Sequence, residues 1–289
     1  MLRSIGFWAI LLWSPASATA EGTRLDPAEA ESQLAQIELA ISAGRVTQAR
    51  SMLQSLEGRL PEALQTQRML LLAEMHMAEG DSNAAQQALD KVPLDGSDLC
   101  RYGGIAGWLA YQKSDWNLAI SMLAKSVEIC PDDPGRWNLL GLALVRKNET
   151  TAALEAFDQA LVLAPNSPSL LNNRALAYAY AGKTGAALAD LERAVAINND
   201  LGIMANLSTL RANAGLEAPL EARQDAHTRT VILTKAGDGA SAADRGEAAR
   251  AYYAQAILQS ERFDPKLWER AHNPAYEIQV ESEDRNTIP

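Results

Sequence analysis

Three histidines, two cysteines and a scatter of carboxylates are the residues of this chain best suited to chemistry. His76, His227 and His272 stand far apart, and none lies within metal-ligand spacing of another or of Cys100 or Cys130. The serine-hydrolase elbow, the phosphate-binding P-loop and the paired-histidine zinc motif are all absent. Gly103-Gly104-Ile105-Ala106-Gly107 comes nearest to a phosphate loop, but it lies inside a helical stretch. Glu149, Glu155, Asp158, Asp190 and Glu192 fall mostly on outward faces or in turns of the periodic pattern described next, where solvation explains them. No catalytic residue, metal or cofactor is nominated, and the chain is read as no enzyme. Asn148-Glu149-Thr150 and Asn206-Leu207-Ser208 match the glycan acceptor, which has meaning only in a eukaryotic secretory route.

The elements behind these residues are set by a repeat. Ala85, Ala119, Ala153 and Ala187 recur every 34 residues, with Leu89, Leu123, Phe157 and Leu191 four residues further on. Earlier in each period Ala73, Gly107, Gly141 and Ala175 share one position, as two closely crossing helices require. Apolar residues at helical spacing fill each half-period. Polar turns such as Gly80-Asp81-Ser82 and Gly182-Lys183-Thr184 separate the halves. Ala, Leu, Glu, Gln and Arg dominate, and no run alternates as a strand would, so the fold class is all-α.

Residues 134–167 are the best-formed period, with Trp137, Leu140, Gly141, Leu144, Ala153, Phe157, Ala160 and Pro165. Their order resembles the tetratricopeptide repeat, whose signature is W-x2-L-G-x2-Y, then A-x3-F, then P. The other periods depart from it: Met69, Gly103 and Leu171 replace the tryptophan, and Ser97 and Asn199 replace the proline kept at Pro131 and Pro165. The resemblance implies a right-handed superhelical solenoid of antiparallel helix hairpins, stabilised by unit terms and neighbour interfaces. It also places His76 in a slot that usually holds tyrosine, as a packed helix residue.

Along the chain, residues 1–20 read as a signal peptide: Arg3, an apolar run from Ile5 to Trp13, and Ala18-Thr19-Ala20 before cleavage. The apolar run is about half of what spans a bilayer, and nothing later is long enough, so no membrane span is expected after cleavage. The mature chain is expected to be periplasmic or secreted. Residues 21–30 read as a linker and 31–63 as a degenerate first repeat. Four units follow at 66–99, 100–133, 134–167 and 168–201, then a capping helix at 202–215. Residues 216–272 form a C-terminal helical region, in which Pro219 and the polar run through Thr230 interrupt the pattern. There a strong helix is expected from Ala242 to Ser260, after Gly237-Asp238-Gly239, and a short one from Phe263 through Ala271. The region is either a further divergent hairpin or a capping domain. Residues 273–289 read as a disordered acidic tail.

Net charge is −10 over 289 residues, and an acidic chain repels phosphate backbones, so nucleic acid is excluded as the main partner. In the repeat frame Cys100 opens one helix and Cys130 closes the next, which makes a disulfide geometrically feasible. Two buried free thiols are the other state open to them. The resemblance places Trp108, Tyr111, Gln112, Asn138, Leu142, Val145, Arg146, Asn172, Leu176 and Tyr180 on a concave groove suited to an extended peptide. Packing of those residues against neighbouring helices is the alternative. Leu70 and Glu74 stand where the chaperone-clamp subtype has Lys and Asn, so that subtype is excluded. The expected function is an exported scaffold binding an envelope protein or peptide. Its narrower likeness is to the repeat proteins of tight-adherence pilus assembly and secretion. An accessory or regulatory subunit of an enzyme complex, acting through residues 216–289, is the reading from another class.

Overall fold

A computed structural model of the chain describes residues 24–93, 98–221 and 223–272. The expected signal peptide, the start of the linker, Ser97 and the expected tail lie outside them. Among the described residues there are fourteen α-helices and no strand. They fall into two compact units, one ending at Asp98 and the other beginning at Leu99.

The first unit holds α1 (Pro27–Ser42), α2 (Val46–Ser55), a 3-10 turn (Glu62–Leu64), α3 (Gln65–Ala78) and α4 (Ser82–Leu89). Leu34, Ile37, Leu53, Leu56, Leu71 and Met75 form its core, with Ala49 buried at the α1–α2 crossing. Ala49 lies 36 residues before Ala85, two more than the period, and the non-helical stretch after α2 accommodates the excess. Gly44 and Gly80 end the first helix of each hairpin at φ near +70°, a region open to glycine at little cost.

The second unit holds α5 (Leu99–Gln112), α6 (Trp116–Ile129), α7 (Pro134–Arg146), α8 (Thr150–Leu163), α9 (Pro168–Tyr180), α10 (Thr184–Ile197), α11 (Leu201–Asn213), α12 (Ala226–Ala242), α13 (Gly246–Gln259) and α14 (Pro265–His272). Hairpins α5–α6, α7–α8 and α9–α10 repeat one set of contacts. A Cβ on Gly107 would stand 2.4 Å from Leu123, and one on Gly141 would stand 2.6 Å from the Phe157 ring. The small residue is therefore a steric requirement of the crossing.

Each first helix stops the same way. Ser114, Asn148 and Gly182 adopt positive φ, and the next residue's N–H reaches back to Ala110, Leu144 and Tyr178 carbonyls at 2.8–2.9 Å. This is the helix-ending turn that satisfies the last carbonyls. Starts are equally local. Asp133 accepts from Gly135 N with Pro134 in the first turn, and Asp200 accepts from Gly202 N.

Beyond α11 the structure keeps part of the sequence reading and changes part of it. Pro219 and the described polar residues up to Asp225 interrupt the helices as expected, but Ala226–Thr230 and the Gly237-Asp238-Gly239 stretch lie inside α12, which begins at Ala226 under an Asp225 cap. The Thr228 backbone N–H and hydroxyl hold that Asp225 carboxyl below its usual range. The expected helix from Ala242 to Ser260 is instead α13, starting at Gly246 after a turn at Asp244. The two glycines serve close packing. A Cβ on Gly237 would stand 2.3 Å from Tyr253, and one on Gly239 would stand 2.1 Å from the Thr209 carbonyl oxygen. Gly237, Ala249 and Tyr253 thus repeat the spacing of Gly141, Ala153 and Phe157.

The direction of α12 is a feature on which the sequence reading is silent. Ser208 Oγ donates to the Ile232 carbonyl, Gly239 abuts Thr209, and Arg245 Nη1 donates to the Ala212 carbonyl. These contacts advance the same way along both segments, so α12 lies parallel to α11. The described residues between 213 and 226 form no helix. The second helix that should follow α11 is missing, and α12 acts as the next first helix.

Candidate functional site

Helices α5, α7, α9 and α11 present equivalent positions at 34-residue steps. Stepping from Asn138 gives Asn172 and Asn206; stepping from Leu142 gives Leu176 and Leu210. The asparagines are bonded across helices. Asn206 Nδ2 donates to Asn172 Oδ1 at 2.8 Å, and Asn173 Nδ2 donates to Asn138 Oδ1 at 2.9 Å. A longer contact of 3.4 Å from Asn172 Nδ2 to Asn173 Oδ1 joins the two pairs. Four amides therefore form a ladder over α7, α9 and α11. A primary amide has two N–H donors and two acceptor lone pairs, so every rung keeps capacity for a further partner.

Beside the ladder, α9 and α11 enclose a cleft of about 320 Å³. Leu176, Ala179 and Tyr180 of α9 line it, with Thr184 of α10 and Asn206, Thr209, Leu210 and Asn213 of α11. The Tyr180 side chain is 62% exposed, unusual for an aromatic. No lining side chain carries a formal charge. The cations nearby are engaged. Arg174 donates to Asp190 through Nε and Nη2 and to Asp158 through Nη1, each at 2.7 Å. The hydrogen bond to Asp190 is the main reason its guanidinium pKa is raised further. Arg211 pairs with Glu192 at 2.8 Å.

Of the residues expected on a groove, the structure brings Asn138 and Asn172 into the ladder and Leu176 and Tyr180 into the cleft. Tyr111, Leu142 and Val145 pack partly against the α5–α8 core. Arg146 lies 5.8 Å over the Trp116 ring, which meets Tyr111 edge-on. Trp108, half-buried, and Gln112, exposed, lie outside this cleft. Asn173, Asn206, Thr209, Leu210 and Asn213 join the site without having been anticipated. For Asn206 and Leu210 the signal is present in the sequence as one more step of the period.

Cys100 and Cys130 are joined by a disulfide with Cα atoms 5.9 Å apart, and Arg136 Nη1 approaches the Cys100 sulfur at 2.7 Å. His76 Nδ1 lies 3.1 Å from Glu79, on one helix end. Among the described residues no group of three or more His, Cys, Asp or Glu could hold a metal ion, and no helix is long and apolar enough to cross a membrane.

Two family profiles, both described as tetratricopeptide repeat, match residues 106–168 and 139–232. Over residues 106–232 the chain matches the tetratricopeptide-repeat family. The matched stretch runs from α5 into α12 and contains both ladder and cleft. No curated protein matches the chain. Among solved structures, the chain is similar to the Cut9–Hcn1 hetero-tetramer of the APC/C, at 14% identity and a TM-score of 0.56 over 85% of this chain and 42% of that one. It is also similar to Pseudomonas aeruginosa PilF, at 16% identity and a TM-score of 0.50 over 80% and 92%. TTC0263, a thermophilic tetratricopeptide-repeat protein of Thermus thermophilus, aligns at 22% identity and a TM-score of 0.46 over 72% and 98%. The first two likenesses support the tetratricopeptide-repeat fold.

Proposed function

We propose that this chain is a non-enzymatic adaptor of the cell envelope that holds an extended segment of another protein against the first helices of its tetratricopeptide repeats. The amide ladder carries the reading. An extended backbone offers alternating donors and acceptors, and a row of amides with unused capacity answers them whatever the side chains are. Each such hydrogen bond contributes about 0.5–1.5 kcal/mol net, so several rungs together give useful affinity. Export is supported by the leader-like residues 1–20. Pilus assembly or secretion is the narrower setting, supported by that leader and the repeat layout.

The test is a pull-down from the native envelope with the chain beginning at Glu21, compared with Asn138→Ala/Asn172→Ala and with an outward-face control, Lys125→Ala. Recovery of the same partner should fall at least tenfold in the double variant and stay unchanged in the control. Equal recovery in all three would reject the groove. Fusing residues 1–30 to a reporter active only outside the cytoplasm tests export separately.

A further inference from the structure

We infer that the α9–α11 cleft is the specificity position of the groove, and that it takes an aromatic side chain from an uncharged stretch of the partner. The inference rests on the groove reading above and narrows it.

Shape and lining argue for the aromatic. At about 320 Å³ the cleft can accommodate one large side chain. Its apolar wall is Leu176, Ala179 and Leu210, with the exposed Tyr180 ring at the rim. An aromatic ring gains both apolar burial and an edge or offset contact with Tyr180. Asn206 and Asn213 can hydrogen-bond the backbone on either side of it.

The electrostatics argue for neutrality. A charge brought into a partly enclosed site loses hydration and must find a counter-charge there. The lining has none. Arg174 is engaged by Asp158 and Asp190, and Arg211 by Glu192. Lys183 sits 5.8 Å from the Tyr178 ring. A carboxylate ligand would also meet a chain of net charge −10. A lysine or arginine ligand would meet only amides, hydroxyls and hydrocarbon in the cleft itself. The favoured segment therefore has no charge next to its aromatic anchor, and its binding is insensitive to salt.

The experiment uses the chain from Glu21 onward with methyl-labelled Leu, Ala and Thr, titrated by NMR with N-acetyl-phenylalaninamide. N-acetyl-lysinamide and N-acetyl-aspartamide are the charged comparisons. Saturable shifts at the Leu176, Leu210 and Thr209 methyls are expected with the first probe, equal at low and high salt. Both charged probes should bind at least tenfold more weakly. Ala179→Arg, which fills the cleft from a half-exposed position, should abolish the shifts while the circular dichroism stays unchanged. No saturable shift, equal binding of a charged probe, or survival in Ala179→Arg would overturn the inference. The two readings fail separately. If partner recovery is lost in Asn138→Ala/Asn172→Ala but kept in Ala179→Arg, the groove stands and the cleft is not its specificity position.

Discussion

Replacing Arg174 with methionine should reveal how far charge, rather than apolar contact, holds adjacent repeats together. Arg174 on α9 bonds Asp158 on α8 and Asp190 on α10. The two arms differ in value because the carboxylates differ in exposure: the Asp158 side chain is 51% exposed and that of Asp190 only 9%. The watery Asp158 arm contributes about 0–1 kcal/mol. Losing the other arm strands a buried carboxylate, at about 3–5 kcal/mol. Replacing both partners, Arg174→Met with Asp190→Leu, removes the stranded charge and should return stability to within about 1 kcal/mol of the parent. Urea unfolding followed by far-UV circular dichroism measures all three variants. In the parent, the raised Arg174 pKa keeps that residue's contribution fully present until strongly alkaline pH, so it adds no slope near neutrality. A single-variant cost below about 1 kcal/mol, or additive behaviour in the double, would refute the reasoning.

Two further outcomes concern the scaffold. Gly141→Ala places a Cβ 2.6 Å from the Phe157 ring and should destabilise by about 1–3 kcal/mol, with partial rescue by Phe157→Leu, the residue type that faces Ala175 in the next hairpin's pattern. Melting temperatures of the two variants check this. The Cys100–Cys130 bridge closes a separation of 30 residues, so Cys100→Ala/Cys130→Ala should lower stability by about 3–4 kcal/mol in the chain-entropy account. Denaturant midpoints with and without reductant should converge in that variant and differ in the parent.

The helical repeat is legible in the sequence because each hairpin is built from the same few contacts. Gly107 with Leu123 and Gly141 with Phe157 announce a crossing by residue size alone, and Ser114, Asn148 and Gly182 mark the turns. Helix α11 reads as a cap, because Thr209 fills its small-residue slot and no second helix follows. Asn206 and Leu210 are nonetheless one period beyond residues already chosen. Asn173 is out of reach of that method: it joins the ladder from the position next to Asn172 through a contact made only in the folded chain. Gly237 and Gly239 mislead for a related reason. Two glycines within three residues suggest a break locally, and only the approach of Tyr253 and Thr209 shows that they permit contact. The groove is half legible. Tyr111, Leu142 and Val145 have groove-like spacing, but the same spacing lets them turn into the neighbouring core.

The parallel placement of α12 has a consequence for how such a gene can change. Arrays of like modules gain or lose copies by unequal exchange, and the product keeps its core only when the exchange preserves phase. From Gly107 through Gly141 and Ala175 to Thr209 the crossing positions advance by one constant step, and any whole number of steps can be inserted or removed. From Thr209 to Gly237 the step is shorter, so an exchange spanning it would bring a helix meant for parallel contact against one meant for a hairpin. On packing grounds the segment from α11 to α13 should therefore be inherited as a block, while whole repeats ahead of the ladder can be gained or lost without breaking its phase.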